Sequence, residues 1–170
     1  MERYLNLWAE SLPQLLSATL AVTIPLSLIS FAVALLVGII SAGARTSRFA
    51  PVNWLAWVYI WVFRGTPLLV QLFIVFYGLP KVGIALDVWS AAIITMSLHT
   101  GAYVAETFRS AVAAIPRGQF EAAATLNFTR MQTLRHVVIP QAVRIALPNL
   151  GNNFIDLIKG TSLVSVISMV

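Results

Sequence analysis

Residues 14–42 read Gln14-Leu-Leu-Ser-Ala-Thr-Leu-Ala-Val-Thr-Ile-Pro25-Leu-Ser-Leu-Ile-Ser-Phe-Ala-Val-Ala34-Leu-Leu-Val-Gly38-Ile-Ile-Ser-Ala42, without one charged side chain. A helix needs about 20 predominantly apolar residues to cross a bilayer core, and this run exceeds that. Pro25 lies inside it, which membrane helices tolerate when neighbours satisfy the freed carbonyl. Ala34 and Gly38 are four apart, a spacing that lets two helix backbones approach closely.

The rest of the chain has the same character. Its 170 residues are 59% hydrophobic and 10% charged, with a mean hydropathy of +0.85, against about 25% charged residues in soluble domains. So few charges cannot cover a surface facing water, and the expected fold class is an all-α integral membrane bundle. Cysteine is absent, which removes disulfides, thiolate metal sites and cysteine nucleophiles. Two histidines, His99 and His136, are too few for a histidine-built zinc centre. The net charge of +5 is read as loops retained in the cytoplasm rather than as a nucleic-acid surface. Residues 1–13 contain Glu2 and Glu10 and do not read as a signal peptide. Tyr4, Leu5, Trp8 and Leu12 fall near one helical face, so this segment is expected to lie amphipathically on the membrane.

Three further spans are expected. Trp54-Leu-Ala-Trp57-Val-Tyr59-Ile-Trp61-Val-Phe63 has the aromatic density of a membrane interface, so residues 53–63 form an interfacial foot. Arg64-Gly65-Thr66-Pro67 interrupts it, with Thr66 placed to cap and Pro67 to open a second span over 67–79. Gly78, Pro80 and Gly83 mark a turn, and a third span covers 88–108. The fourth covers 138–158, where Pro140 and Pro148 predict that its first part is bent or interfacial. Arg45, Arg48, Arg64, Arg109, Arg117, Arg130, Arg135 and Arg144 fall on one side of this arrangement, and Arg3, Lys81 and Lys159 on the other. Eight against three puts the loop over 109–136 in the cytoplasm and the N-terminus outside. The last residues, Gly160-Thr-Ser-Leu-Val-Ser-Val-Ile-Ser-Met-Val170, end without a polar tail or another span, which suggests a truncated chain.

The 109–136 loop contains Ile115-Pro116-Arg117-Gly118-Gln119-Phe120-Glu121-Ala122-Ala123-Ala124-Thr125-Leu126-Asn127. Pro116 can open a helix that the alanines favour. Asn127 can end it in the left-handed conformation, and Thr129 with Gln132 reads as a capping box for the next helix. A small-residue face over Ala122 to Ala124 would let this helix lie deep in a partner's groove, with Glu121 meeting a basic group. On residue chemistry alone, an ordinary solvated surface helix is the favoured reading, since short surface helices are common.

The segment resembles the EAA loop of ABC-transporter permeases: Glu121-Ala122-Ala123, a turn residue at Asn127, then Ile145-Ala146-Leu147-Pro148. Phe63-Arg64-Gly65-Thr66-Pro67-Leu68, Ala102-Tyr103-Val104-Ala105-Glu106, Ile139-Pro140-Gln141-Ala142, Leu150-Gly151-Asn152 and Lys159-Gly160-Thr161-Ser162-Leu163 resemble the polar-amino-acid branch of that family. The resemblance runs from about residue 14 to the end, over an ABC transmembrane type-1 domain at 14–170. It implies a type I ABC importer permease fold, with the family's final span missing, in a bacterial cell membrane. It implies an amino-acid substrate delivered by an extracytoplasmic binding protein, a second permease subunit, and separate ATPase subunits docked through Gly118, Glu121, Ala122, Ala123 and Asn127. The family usually has glycine where this chain has Asn127. No GxxxxGK[ST] phosphate loop occurs in the sequence, so ATP hydrolysis is assigned to the partner; the chain is not expected to be an enzyme or to hold a cofactor or metal.

Asn149, Asn152, Asn153 and Asp156 are spaced i, i+3, i+4 and i+7, on one helical face. Two readings stand: the stripe lines the translocation path, with Asp156 binding a substrate ammonium, or it supplies interhelical hydrogen bonds. His99 lies mid-span with the same two readings, and Gln71 is similar. Glu106 and Arg109, at i and i+3, read as an interfacial ion pair, and Arg64 as an interfacial anchor. Rival functions are an intramembrane enzyme built on Gly160-Thr161-Ser162, a secondary transporter or channel, and a truncated structural subunit. The first lacks a histidine after the serine, and the second lacks an internal repeat.

Overall fold

The computed structural model describes residue 1 and residues 11–167. The amphipathic segment expected over 1–13 therefore falls almost wholly outside the described residues. Every regular element among them is helical. Helix α1 is Ser11–Arg45, α2 is Ala50–Gly65, and α3 is Leu68–Val82, which leaves α2 at 108°. Helix α4 is Val88–Ala113, α5 is Arg117–Thr125, and α6 runs over residues 130–160. A 3-10 segment, Thr161–Ile167, closes the described chain. By length and composition α1 can cross a membrane, and α2 with α3 passes the same test only as a bent pair.

Prolines explain the helix irregularities. Wide π turns at Thr19–Thr23, Ile74–Gly78 and Leu134–Val138 each end two residues before a proline: Pro25, Pro80 and Pro140. In each, the residue before the proline donates to the carbonyl five back: Ile24 to Thr19, Leu79 to Ile74, Ile139 to Leu134. A proline has no N–H and its ring strikes the carbonyl four residues earlier; widening the preceding turn moves that carbonyl aside. The bend expected near Pro140 is thus absorbed as a π turn in a helix that already starts at residue 130. Thr66 and Pro67 also correct the expectation. Thr66 makes no cap: its hydroxyl donates back to the Val62 carbonyl at 2.8 Å, and Pro67 occupies the extended position before α3 instead of its first turn.

Helix α4 is the central post. Its most extensive packing is against α1, then α6, with α2 and α3 also touching it. The α1 face that meets it is built of small residues, Ser27, Ser30, Ala34, Gly38 and Ser41, all buried. The opposite face is not: Leu36, Ile39 and Ile40 are 64%, 54% and 70% exposed. An apolar stripe of that size costs free energy in water but none against lipid. Tyr59 ties α2 to α4 by donating to the Leu98 carbonyl at 2.6 Å. Leu26, Leu72, Met96, Leu157, Val164 and Ile167 form one core, so the last 3-10 segment packs inward. Asp87 opens α4 by accepting from the Ser90 amide at 3.1 Å; hydrogen bonding to Ser90 holds its carboxyl below the usual range.

Candidate functional site

Two places concentrate chemistry. The first is α5. Pro116 precedes it in extended conformation, so the helix starts at Arg117. All its residues are exposed except Ala123, at 3%. The helix ends in a full Schellman closure: Phe128 N–H donates to Ala123 O and Asn127 N–H to Ala124 O, both at 3.0 Å. Asn127 has φ 54°, the left-handed region that an asparagine tolerates better than most residues. Thr129 and Gln132 then form a reciprocal capping box, with Thr129 N–H donating to Gln132 Oε1 at 2.8 Å. Gln141 reaches back from α6 to Gln119 at 3.1 Å. Beneath lie Ala111, Ile115, Val138, Ala142 and Ala146. Glu121, Ala122 and Gly118 face outward, and nothing lies within 4 Å of a Cβ built on Gly118.

Substitutions at Asn127 separate backbone need from side-chain contact. Asn127→Gly is expected to keep or slightly raise stability. Asn127→Val is expected to cost about 1–2 kcal/mol through the left-handed penalty. Thermal unfolding of the two purified variants checks this, and equal midpoints would remove the strain argument.

The second place is a cavity of about 190 Å³ between α3, α4 and α6, lined by Leu68, Met96, His99, Thr100, Tyr103, Asn153, Asp156 and Leu157. It is smaller than the roughly 300–1,000 Å³ of drug-sized sites and suits a small ligand. Three of the residues singled out from sequence meet here, His99, Asn153 and Asp156. Asn149 and Asn152 do not: both are exposed on α6 away from this lining. Asn153 Nδ2 donates to Thr107 Oγ1 of α4 at 3.2 Å, so it also serves the interhelical role. Asp156 is 76% exposed beside Lys159, at 3.8 Å.

Sequence reasoning left Gln71 between a path-lining and a packing role and gave Tyr103 no role of its own. Gln71 is buried, at 7%, and its Oε1 lies 3.1 Å from His99 Nδ1. Tyr103 lies 5.1 Å from the His99 ring, and the Arg64 guanidinium sits 5.4 Å over its face. Arg64 also pairs with Glu106 at 3.7 Å, and Glu106 with Arg109 at 2.9 Å. Arg64 therefore links the end of α2 to α4. Among the described residues no cluster of three metal-ligating side chains occurs.

Residues 34–168 match the family described as binding-protein-dependent transport system inner membrane component. The L-cystine transport system permease protein TcyB of Bacillus subtilis is 44% identical over 162 residues, covering 95% of this chain and 69% of that protein. The glutamine transport system permease protein GlnP of Escherichia coli is 39% identical over 149 residues, covering 86% and 68%. The solved structure of an amino acid ABC transporter with histidines superposes with a TM-score of 0.90 at 36% identity, covering 95% of this chain and 75% of that one. An inward-facing structure of the MetNI methionine ABC transporter has the same fold at 23% identity, with a TM-score of 0.63.

Proposed function

Because the chain belongs to the binding-protein-dependent transport system inner membrane components, we propose that it is the subunit through which an ATP-driven importer passes an amino acid across a bacterial inner membrane. The observation that carries this reading is α5: a short exposed helix bearing Glu121-Ala122-Ala123 and closed by left-handed Asn127. In this reading α5 is the lever that a separate ATPase grips, with Glu121 toward a basic group and Ala122 and Ala124 against its surface; Ala123, named with them from the sequence, is buried within this chain and is not available to a partner. The short turn through Asn127 and Phe128 and the Gln119–Gln141 bond tie α5 to α6, so a displacement of α5 is delivered to Asn153 and Asp156. Binding energy of ATP-driven closure would thus bias two arrangements of the membrane helices.

The same reading places the 109–136 loop in the cytoplasm and the N-terminus outside, with an extracytoplasmic binding protein handing over the amino acid and a second permease subunit completing the path. The cavity of His99, Asn153 and Asp156 is assigned to that path. Relatives named for cystine and glutamine transport support an amino-acid substrate.

Co-purification tests the reading. The native chain is expected to capture the ATPase subunit of an amino-acid importer, and Glu121→Lys to lose at least about tenfold of that capture, since it reverses a charge at a contact worth about one to a few kcal/mol. Equal capture by both would remove Glu121 from the contact, and no capture by a folded native chain would overturn the assignment of α5.

A further inference from the structure

We propose that Gln71 is a positioning residue: it holds His99 as the Nδ1–H tautomer, so that Nε2 is a hydrogen-bond acceptor matched to an N–H donor on the transported ligand. The inference rests on reading the His99 cavity as part of the translocation path.

The argument begins with which way the Gln71 amide points. Its Nε2 lies 2.9 Å from Phe63 O, 3.1 Å from Thr66 O and 2.7 Å from Thr66 Oγ1. Carbonyl oxygens only accept, so the amide nitrogen must face them. The Thr66 hydroxyl gives its own proton to Val62 O and is therefore an acceptor toward Gln71 as well. Reversing the amide would set its oxygen against three acceptors in a buried site, so one orientation remains.

That orientation leaves Oε1 toward His99 Nδ1, at 3.1 Å. Oε1 is an acceptor, so Nδ1 must carry the proton. A neutral imidazole has a single N–H, and Nε2 then keeps its lone pair. Nε2 has no hydrogen-bond partner among the described residues, yet the only unpartnered buried side-chain nitrogen or oxygen among them is Ser30 Oγ. Nε2 therefore opens onto free space, and His99 is a wall of the cavity. Asp156, which lines the cavity from α6, presents a carboxylate that also only accepts. Thr100, Tyr103 and Asn153 bring donors to the same lining, so the cavity offers both kinds of group, and Nε2 with the Asp156 carboxylate is the part of it that accepts from a ligand's ammonium or other N–H group.

The anchor of this arrangement is the break between α2 and α3. Phe63 and Thr66 flank the 108° bend, and Gln71 bonds both before reaching His99. The geometry of the break is thereby transmitted to the ring in the cavity.

Two measurements test this. The first is nitrogen NMR of the full chain in lipid nanodiscs, labelled on histidine, with His136→Asn leaving a single ring to observe. At pH about 8.5, well above the ordinary imidazole pKa of about 6.5, the native ring is expected to be protonated at Nδ1. Gln71→Met is expected to produce a mixture with the Nε2–H form. A native ring protonated at Nε2 would overturn the proposal, and so would a tautomer indifferent to Gln71→Met. The native measurement needs no Gln71 variant, so misfolding of that variant leaves the test intact.

The second is amino-acid uptake by the chain assembled with its ATPase and binding protein. His99→Asn keeps a donor toward Gln71 and loses the acceptor; His99→Gln keeps an oxygen near the place of Nε2. The first is expected to raise KM about tenfold with turnover little changed, a loss typical of one charge-assisted hydrogen bond, and the second to recover most of it. A native KM in His99→Asn overturns the ligand half of the proposal. Native uptake by both Asn153→Ala and Asp156→Ala, with the tautomer as assigned, would instead sink the path reading and the ligand half with it, while a native ring protonated at Nε2 sinks the positioning and the acceptor at Nε2 but leaves the path reading standing.

Discussion

A Gly38→Leu chain is expected to fail to assemble its α1–α4 interface, whereas Gly43→Leu is expected to accumulate as the native protein does. The two substitutions add the same side chain to the same helix. A Cβ at Gly38 would stand 2.3 Å from Val104 Cγ1, 2.6 Å from Val104 Cβ and 3.1 Å from the Gly101 carbonyl, while nothing lies within 4 Å of one at Gly43. Overpacking a close-packed interface costs about 1–3 kcal/mol for a small insertion and more for a whole leucine, against a total stability of about 5–15 kcal/mol. Yield and monodispersity after detergent extraction, with thermal unfolding, read the difference. A finer test follows from which atoms clash. Val104→Ala removes Cγ1 but leaves Cβ, so Gly38→Ala with Val104→Ala is expected to be only partly rescued. Gly38→Ala with Val104→Gly clears both atoms and is expected to recover further. Full stability of Gly38→Ala alone would mean that the two helices separate at little cost.

That interface also marks where sequence reading succeeds and stops. Ala34 and Gly38 could be picked out at four-residue spacing, because small residues have one evident use on an apolar helix. Which partner they meet, and that Val104 fills the space, depends on contacts more than sixty residues away. The end of α5 was legible because its chemistry is local: the Schellman turn at Asn127 and the Thr129–Gln132 box each close within a few residues. The break at Arg64-Gly65-Thr66-Pro67 was legible as a break, but not its angle or the bonding of Thr66. Gln71 stayed undecided between two readings because its meaning lies in reaching back to Phe63 and Thr66 and across to His99. The polar stripe on α6 was legible as residues of one helix, but not which of them border a cavity. Helical spacing groups Asn149, Asn152, Asn153 and Asp156 together, but of these only Asn153 and Asp156 line the cavity.

Asp156→Ala is expected to lower kcat/KM for amino-acid uptake by about tenfold to a hundredfold, and Asp156→Asn by less. The carboxylate is costly on a membrane helix unless it faces water, a ligand or another polar surface, and here it borders the cavity with 76% of its side chain exposed. A ligand ammonium would gain a charge-assisted hydrogen bond there, of about 1.5–3 kcal/mol, which sets the size of the loss. Asparagine keeps the oxygen and drops the charge. Lys159, at 3.8 Å, competes for the same carboxylate. Lys159→Met is therefore expected to lower KM, though by no more than about fivefold, because an exposed pair is worth about 0–1 kcal/mol. Labelled amino-acid uptake measured beside substrate-stimulated ATP hydrolysis separates the outcomes. A raised KM in Asp156→Ala together with a lowered KM in Lys159→Met assigns the carboxylate to the ligand. Unchanged KM with reduced turnover in both variants would make the Asp156–Lys159 pair a structural tie at the end of α6, and native uptake by Asp156→Ala would remove the residue from the path.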